Sequence, residues 1–130
     1  MTLMGMFQVR VTVGNPREPA RSFTESFWVD TGATYSFIPR ARLEGIGMAA
    51  DGERDIVYAN GARARCGIGD ASFRIEGLPE TRACTVVFAP ADSLYLLGAT
   101  ALENFGLAAD PDAKQLKPIA AIIGGFLASR

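Results

Sequence analysis

Asp30 is the residue whose surroundings most invite chemistry. It follows the large apolar run Phe27, Trp28 and Val29 and precedes Thr31, Gly32 and Ala33. Three small residues let the backbone turn sharply and let another chain approach closely. A carboxylate at the end of an apolar strand is costly to bury unless it is hydrogen-bonded or shares a proton. The Thr31 hydroxyl can bond backbone and brace such a loop. An Asp before Thr or Gly also caps turns as an everyday matter, and the tripeptide alone turns up by chance in roughly a few per cent of chains this long. Asp51, Asp55, Asp70, Asp92, Asp110 and Asp112 lie beside turn residues or on polar stretches, where solvated or turn-capping roles are expected. None of them makes a spaced set for calcium.

The composition removes most competitors. The chain has no histidine, so Ser-His-Asp and Cys-His catalysis lack their base within it. Cys66 and Cys84 are its two cysteines, without CxxC spacing, and a zinc site is not expected. They read as buried free thiols of a cytoplasmic protein. Hydrolytic chemistry would have to run on carboxylates, or on a metal held by them, and no cofactor is expected. Thirteen basic residues against 14 acidic give a net charge of −1, and the basic ones are scattered. A nucleic-acid partner would need them clustered. The N-terminal residues lack the basic start and long apolar run of a signal peptide. The longest apolar run, 118–128, is shorter than the roughly 18 residues a membrane span requires and contains Gly124 and Gly125. No membrane partner is expected of this chain.

The elements that must position Asp30 are mostly strands. At 130 residues, 48% apolar and 21% charged, the chain has material for one domain with a real core. Phe7, Val9, Val11 and Val13 alternate with polar neighbours up to Gly14-Asn15-Pro16, a half-buried strand and a turn. Residues 16–19 read as a loop and 22–29 as a second strand running into Asp30. Extended structure resumes at 35–38, and 40–44 can form a helical turn. Residues 56–65 read as a hairpin folded at Asn60-Gly61, followed by strands at 71–75 and 83–88. The convincing helix is 99–104, between Gly98 and Gly106, and 107–116 suggests a last hairpin around Asp110-Pro111-Asp112. The expectation is a mainly antiparallel β domain over 1–118 with one short helix, then an apolar tail, 119–130.

Taken together, these segments resemble a known family. The stretch from Phe27 through Asp30-Thr31-Gly32-Ala33 to Ser36-Phe37-Ile38 is similar to the active-site segment of retropepsin-like aspartic proteases. Its pattern is apolar residues, Asp-Thr/Ser-Gly-Ala, two variable residues, Ser/Thr, then apolar residues. Tyr95-Leu96-Leu97-Gly98 before the helix looks like the second landmark of that family. Tyr58-Ala59-Asn60-Gly61-Ala62 sits where the family places its flap hairpin. The order and spacing agree over about 7–116, and 107–118 is similar to the ending of bacterial members.

The resemblance implies a closed β-barrel of the acid-protease type and a single Asp-Thr-Gly per chain. It therefore implies a homodimer in which two Asp30 carboxylates hold one water and hydrolyse a peptide substrate. Asp30, Thr31 and Gly32 would be catalytic. Ala33 and Thr34 would meet the substrate backbone, and Tyr58, Ala59, Asn60 and Gly61 would close over it. Retroviral members usually carry a second Asp where this chain has Thr34, so backbone recognition is expected to differ there. Tyr58 can face the cleft or pack on the sheet. The tail 119–130 would join the dimer interface or bind in a cleft like a substrate. Two other readings stand beside this one: a catalytically inactive dimerisation or peptide-binding module with the same fold, and an unrelated β-barrel in which Asp-Thr-Gly is accidental.

Overall fold

The computed structural model describes residues 6–120, and everything below concerns those residues. They form nine strands and two short helices in the order β1 (Gln8–Asn15), β2 (Glu18–Val29), β3 (Ser36–Pro39), α1 (Arg40–Gly45), β4 (Gly52–Val57), β5 (Arg63–Ile75), β6 (Thr81–Ala89), β7 (Leu96–Leu97), α2 (Ala99–Phe105), β8 (Leu107–Asp110) and β9 (Gln115–Pro118). Seven strands make one sheet, ordered β1-β2-β7-β3-β6-β5-β4, and β1 also pairs with β5, joining six of them in a ring. The strands β8 and β9 form a separate antiparallel pair. The expectation of a mainly β chain holds.

Alternation decides which face each strand buries. Val11 and Val13 of β1, Phe27 and Val29 of β2, Ile38 of β3, Ala71, Phe73 and Ile75 of β5, Cys84, Val86 and Phe88 of β6, and Leu97 of β7 share the main core. Phe27 lies at its centre, with ring centroids 5.9 Å from Phe73 and 5.5 Å from Tyr95 in tilted and edge-on contact, a favourable aromatic geometry. Side chains of opposite parity build a smaller cluster on the other face of the sheet. Ile56, Cys66, Ile68 and Val87 form it, with Tyr35, Phe37, Tyr58 and Ala64 packed against them.

Several boundaries differ from the sequence expectation. β2 begins at Glu18, so the first turn is tight and the expected loop 16–19 is half strand. β5 runs unbroken from Arg63, because its length pairs in turn with β4, β6 and β1. A second helix, α1, exists where a helical turn was expected, making two helices rather than one. The hairpin expected to fold at Asn60-Gly61 bends one residue earlier. Gly61 N donates to Tyr58 O at 2.9 Å, so Ala59 and Asn60 occupy the bend. Gly61 follows them at φ +86°, and no non-glycine residue has positive φ except Lys114. This is the three-residue loop with a left-handed glycine, which absorbs one more residue than a two-residue turn. Asn60 Oδ1 accepts the Ala62 amide at 2.9 Å and stabilises it.

Cys66 and Cys84 are both free and buried. Burial pushes the Cys84 thiol up to about 11, away from reactive thiolate. Of the tail 119–130, Ile119 is half exposed and donates its N–H to Gly106 O at 2.9 Å. Residues 121–130 lie outside the described residues, and so does most of that expectation. No helix among the described residues is long and apolar enough to cross a membrane.

The first turn is locked to α1 by one buried side chain. Asn15, 5% exposed, donates from Nδ2 to Ile46 O at 2.9 Å, and its Oδ1 accepts the Arg17 amide at 2.9 Å. Asn15→Ala leaves a buried carbonyl without its donor, so urea unfolding should show a loss of about 1–3 kcal/mol. An unchanged denaturation midpoint would show that this link carries no stability.

Candidate functional site

The local chain path around Asp30 follows from how β7 is inserted. β7 lies between β2 and β3, parallel to the first and antiparallel to the second, with Trp28 opposite Leu96, Val29 opposite Leu97, and Phe37 opposite Leu96. Trp28 N donates to Tyr95 O at 2.9 Å and Asp30 N to Leu97 O at 3.0 Å. The amide of the carboxylate-bearing residue is thereby tied to the segment that leads into α2. Ala33 N then donates to Asp30 O at 3.2 Å, closing the turn Asp30–Ala33.

The rest of the loop is bound to the start of α2. Ala99 N donates to Ala33 O at 2.8 Å, and Thr34 O accepts both the Thr100 amide at 3.0 Å and the Thr100 hydroxyl at 2.7 Å. Ser36, fully buried, accepts the Gly98 amide on its Oγ at 3.0 Å. These bonds bring the chains so close that a Cβ on Gly98 would sit 2.4 Å from Tyr35 O and 2.9 Å from Ala33 O. The glycine before α2 is required by that approach. The helix N-terminal amides, which have no partner within the helix, find theirs in the loop.

The Asp30 side chain is half buried, while Thr31 and Gly32 are exposed. Its Oδ1 accepts the Gly32 amide at 3.0 Å. This bond fixes the carboxylate's orientation through one oxygen. By strand alternation Asp30 shares the face of Trp28, Leu96 and Phe37, opposite the main core. Ala33 is half buried and Thr34 exposed at the edge of the loop.

The residues expected to form a flap divide. Ala59, Asn60 and Gly61 are exposed at the hairpin tip. Tyr58 packs on the smaller cluster, its OH 3.9 Å from Cys66 Sγ. Burial, then Cys66 and then the charge of Asp92, hold its phenol above the usual value. Of the two orientations open for Tyr58, this is packing on the sheet, on the same face that carries Asp30. The hairpin's exposed outer surface is laced by Arg65, which bonds Glu53 and Asp55 at 3.0 and 2.9 Å.

Among the described residues no group of three His, Cys, Asp or Glu side chains could hold a metal ion. Two surface concavities, of about 370 and 290 Å³, lie by Asp55, Arg63 and Arg65 and by Arg10, Thr12 and Arg74. Neither includes Asp30. Ser36 is the residue of this loop whose structural partner a residue-by-residue reading misses. Its type is part of the motif's pattern, but its partner lies 62 positions away. Ser36→Ala removes the acceptor of a buried amide, which should cost about 1–3 kcal/mol and speed hydrogen exchange at Gly98. Unaltered exchange at Gly98 would show that the hydroxyl does not hold the loop.

No protein-family model matches the chain, and no curated protein matches it significantly. Among solved structures it is similar to a foamy viral protease-reverse transcriptase, a structure described as in complex with an RNA/DNA hybrid. The match has 14% sequence identity and a TM-score of 0.56 and covers 96% of this chain. The chain spans only 14% of the length of that polypeptide. At this identity the likeness is one of fold: a β-rich fold similar to one found in a protein that contains a protease.

Proposed function

We propose that the chain is one half of an aspartic peptidase of the retropepsin-like type, its strand ring closing as a barrel, active as a symmetric homodimer. The observation that carries this reading is the placement of Asp30. The Asp30 carboxylate is oriented by the Gly32 amide, in a loop bonded to β7 and to the start of α2. A second copy supplies the second carboxylate that the chemistry needs.

Two carboxylates brought together resist joint ionisation, share one proton and titrate as a pair. One Asp30 takes a proton from the bound water as it attacks the scissile carbonyl. The protonated partner donates a hydrogen bond to that carbonyl's oxygen. No metal, cofactor or covalent intermediate enters this scheme. Thr31 and Gly32 complete the catalytic loop, Ala33 and Thr34 line the extended substrate backbone, and the exposed hairpin tip Ala59, Asn60 and Gly61 closes over it and excludes water, with Tyr58 packed on the sheet at its base. The tail 119–130 adds contacts between subunits. The fold likeness to a protease-containing viral protein supports the reading.

A second reading has its own observation. The bond from Gly32 to Asp30 Oδ1 gives the carboxylate a turn-capping job within one chain, as an inactive dimerisation or peptide-binding module would retain. Asp30→Asn keeps that oxygen acceptor and loses the ionisable group, so it separates the two. The wild type should cleave unstructured peptides between acidic and neutral pH. Asp30→Asn should lose about 100-fold or more in kcat/KM with unchanged sedimentation. No cleavage by wild type in that range, or equal cleavage by Asp30→Ala, contradicts the peptidase reading.

A further inference from the structure

Arg42 makes a set of contacts that the proposed chemistry does not use. From α1 its Nη1 donates to Glu25 Oε1 at 3.0 Å and to the Tyr95 hydroxyl at 3.1 Å. Its guanidinium lies 4.2 Å from the centroid of the Phe23 ring and 5.7 Å from that of Tyr95. One half-buried side chain thus joins α1, β2 and the residue just before β7. A planar guanidinium lies flat over an aromatic ring while its N–H groups still donate, a combination that the compact point charge of an ammonium matches less well.

Tyr95 governs what β7 presents. Its ring packs edge-on against the buried Phe27, on the main-core side. Its carbonyl accepts the Trp28 amide. By alternation the next residue, Leu96, turns to the opposite face, beside Trp28 and Phe37 and on the side of Asp30. β7 is only two residues long, too short to set its own rotation, and a slip of one residue would exchange its two faces. Its far end is held separately by the Gly98–Ser36 and Ala99–Ala33 bonds. Two independent fastenings therefore act on one short strand.

We propose that Arg42 is a positioning residue for substrate selection: by pinning Tyr95 it holds Leu96 against Trp28 as the apolar wall next to Asp30. This rests on the peptidase reading above. Because the Asp30 loop is held from the other end, loosening Arg42 disturbs the wall and leaves the carboxylate in place. The effect belongs in substrate binding more than in the chemical step.

Trp28 is the sole tryptophan of the chain, so its emission reports directly on the wall. The full-length variants Arg42→Lys, Arg42→Ala and Tyr95→Phe should be compared with wild type by tryptophan fluorescence and by hydrolysis of peptides with large and small apolar residues at the cleaved bond. Arg42→Lys should shift Trp28 emission to the red. It should raise KM for the large apolar peptides about fivefold with kcat within about twofold. Arg42→Ala should exceed it, and Tyr95→Phe, which keeps the ring, should show less. Unshifted emission in both Arg42 variants overturns the pin. Equal losses in kcat and kcat/KM overturn its restriction to the wall. If wild type cleaves nothing, the peptidase reading falls, while the fluorescence still decides whether Arg42 fixes Trp28.

Discussion

The close approach of Gly98 to the carbonyls of Tyr35 and Ala33 is the constraint on which the rest depends. The amides that enter this contact all have partners. The Gly98 amide meets Ser36 Oγ, and the Ala99 and Thr100 amides meet the carbonyls of Ala33 and Thr34. Among the described residues no buried side-chain nitrogen or oxygen lacks a hydrogen bond. In a dry interior each such bond matters more for what its loss would cost than for what it adds. The result is a loop held to fixed geometry by a helix start, so that Asp30 is carried on a rigid support although it stands near the surface.

That support explains why the sheet has two unequal faces. The larger core, with Phe27, Phe73, Ile38 and Leu97, provides the stability. The smaller cluster under the β4–β5 hairpin, with Val87, Ile68, Phe37 and Tyr58, lies on the Asp30 side. Arg42 and the Gly98 contact grip β7 from opposite ends and so link the two faces. Two-carboxylate chemistry needs a second surface to exclude water and to raise the pair's affinity for one shared proton. The proposed chemistry therefore asks for a second copy.

Much of this was legible in the sequence, where local pattern and tertiary need agree. The alternation of Val9, Val11 and Val13, the run into Asp30, and the helix bounded by Gly98 and Gly106 all carry periodic or turn signals that the fold keeps. Gly106 takes the left-handed cap at φ 66°, as a helix-ending glycine does. What was not legible depends on distant partners. Ser36 and Gly98 are 62 positions apart, and Arg42 reaches Glu25 and Tyr95 at 17 and 53. β7, two residues in a parallel pairing, is too short for any periodicity to announce. The hairpin bend was misplaced by one residue because Asn60-Gly61 serves equally as a two-residue turn or as the end of a three-residue one. Tyr58 faces the sheet because Cys66 and Phe37 offer it an apolar seat, which no neighbouring residue in the sequence reveals.

The central claim is that Asp30 is half of an active site. The most direct measurement is peptide hydrolysis per chain across a dilution series, with sedimentation followed at the same concentrations. Specific activity should fall in step with the dimer fraction and vanish where the protein sediments as a monomer. Constant activity per chain into the monomer range would contradict the account, since one carboxylate would then suffice.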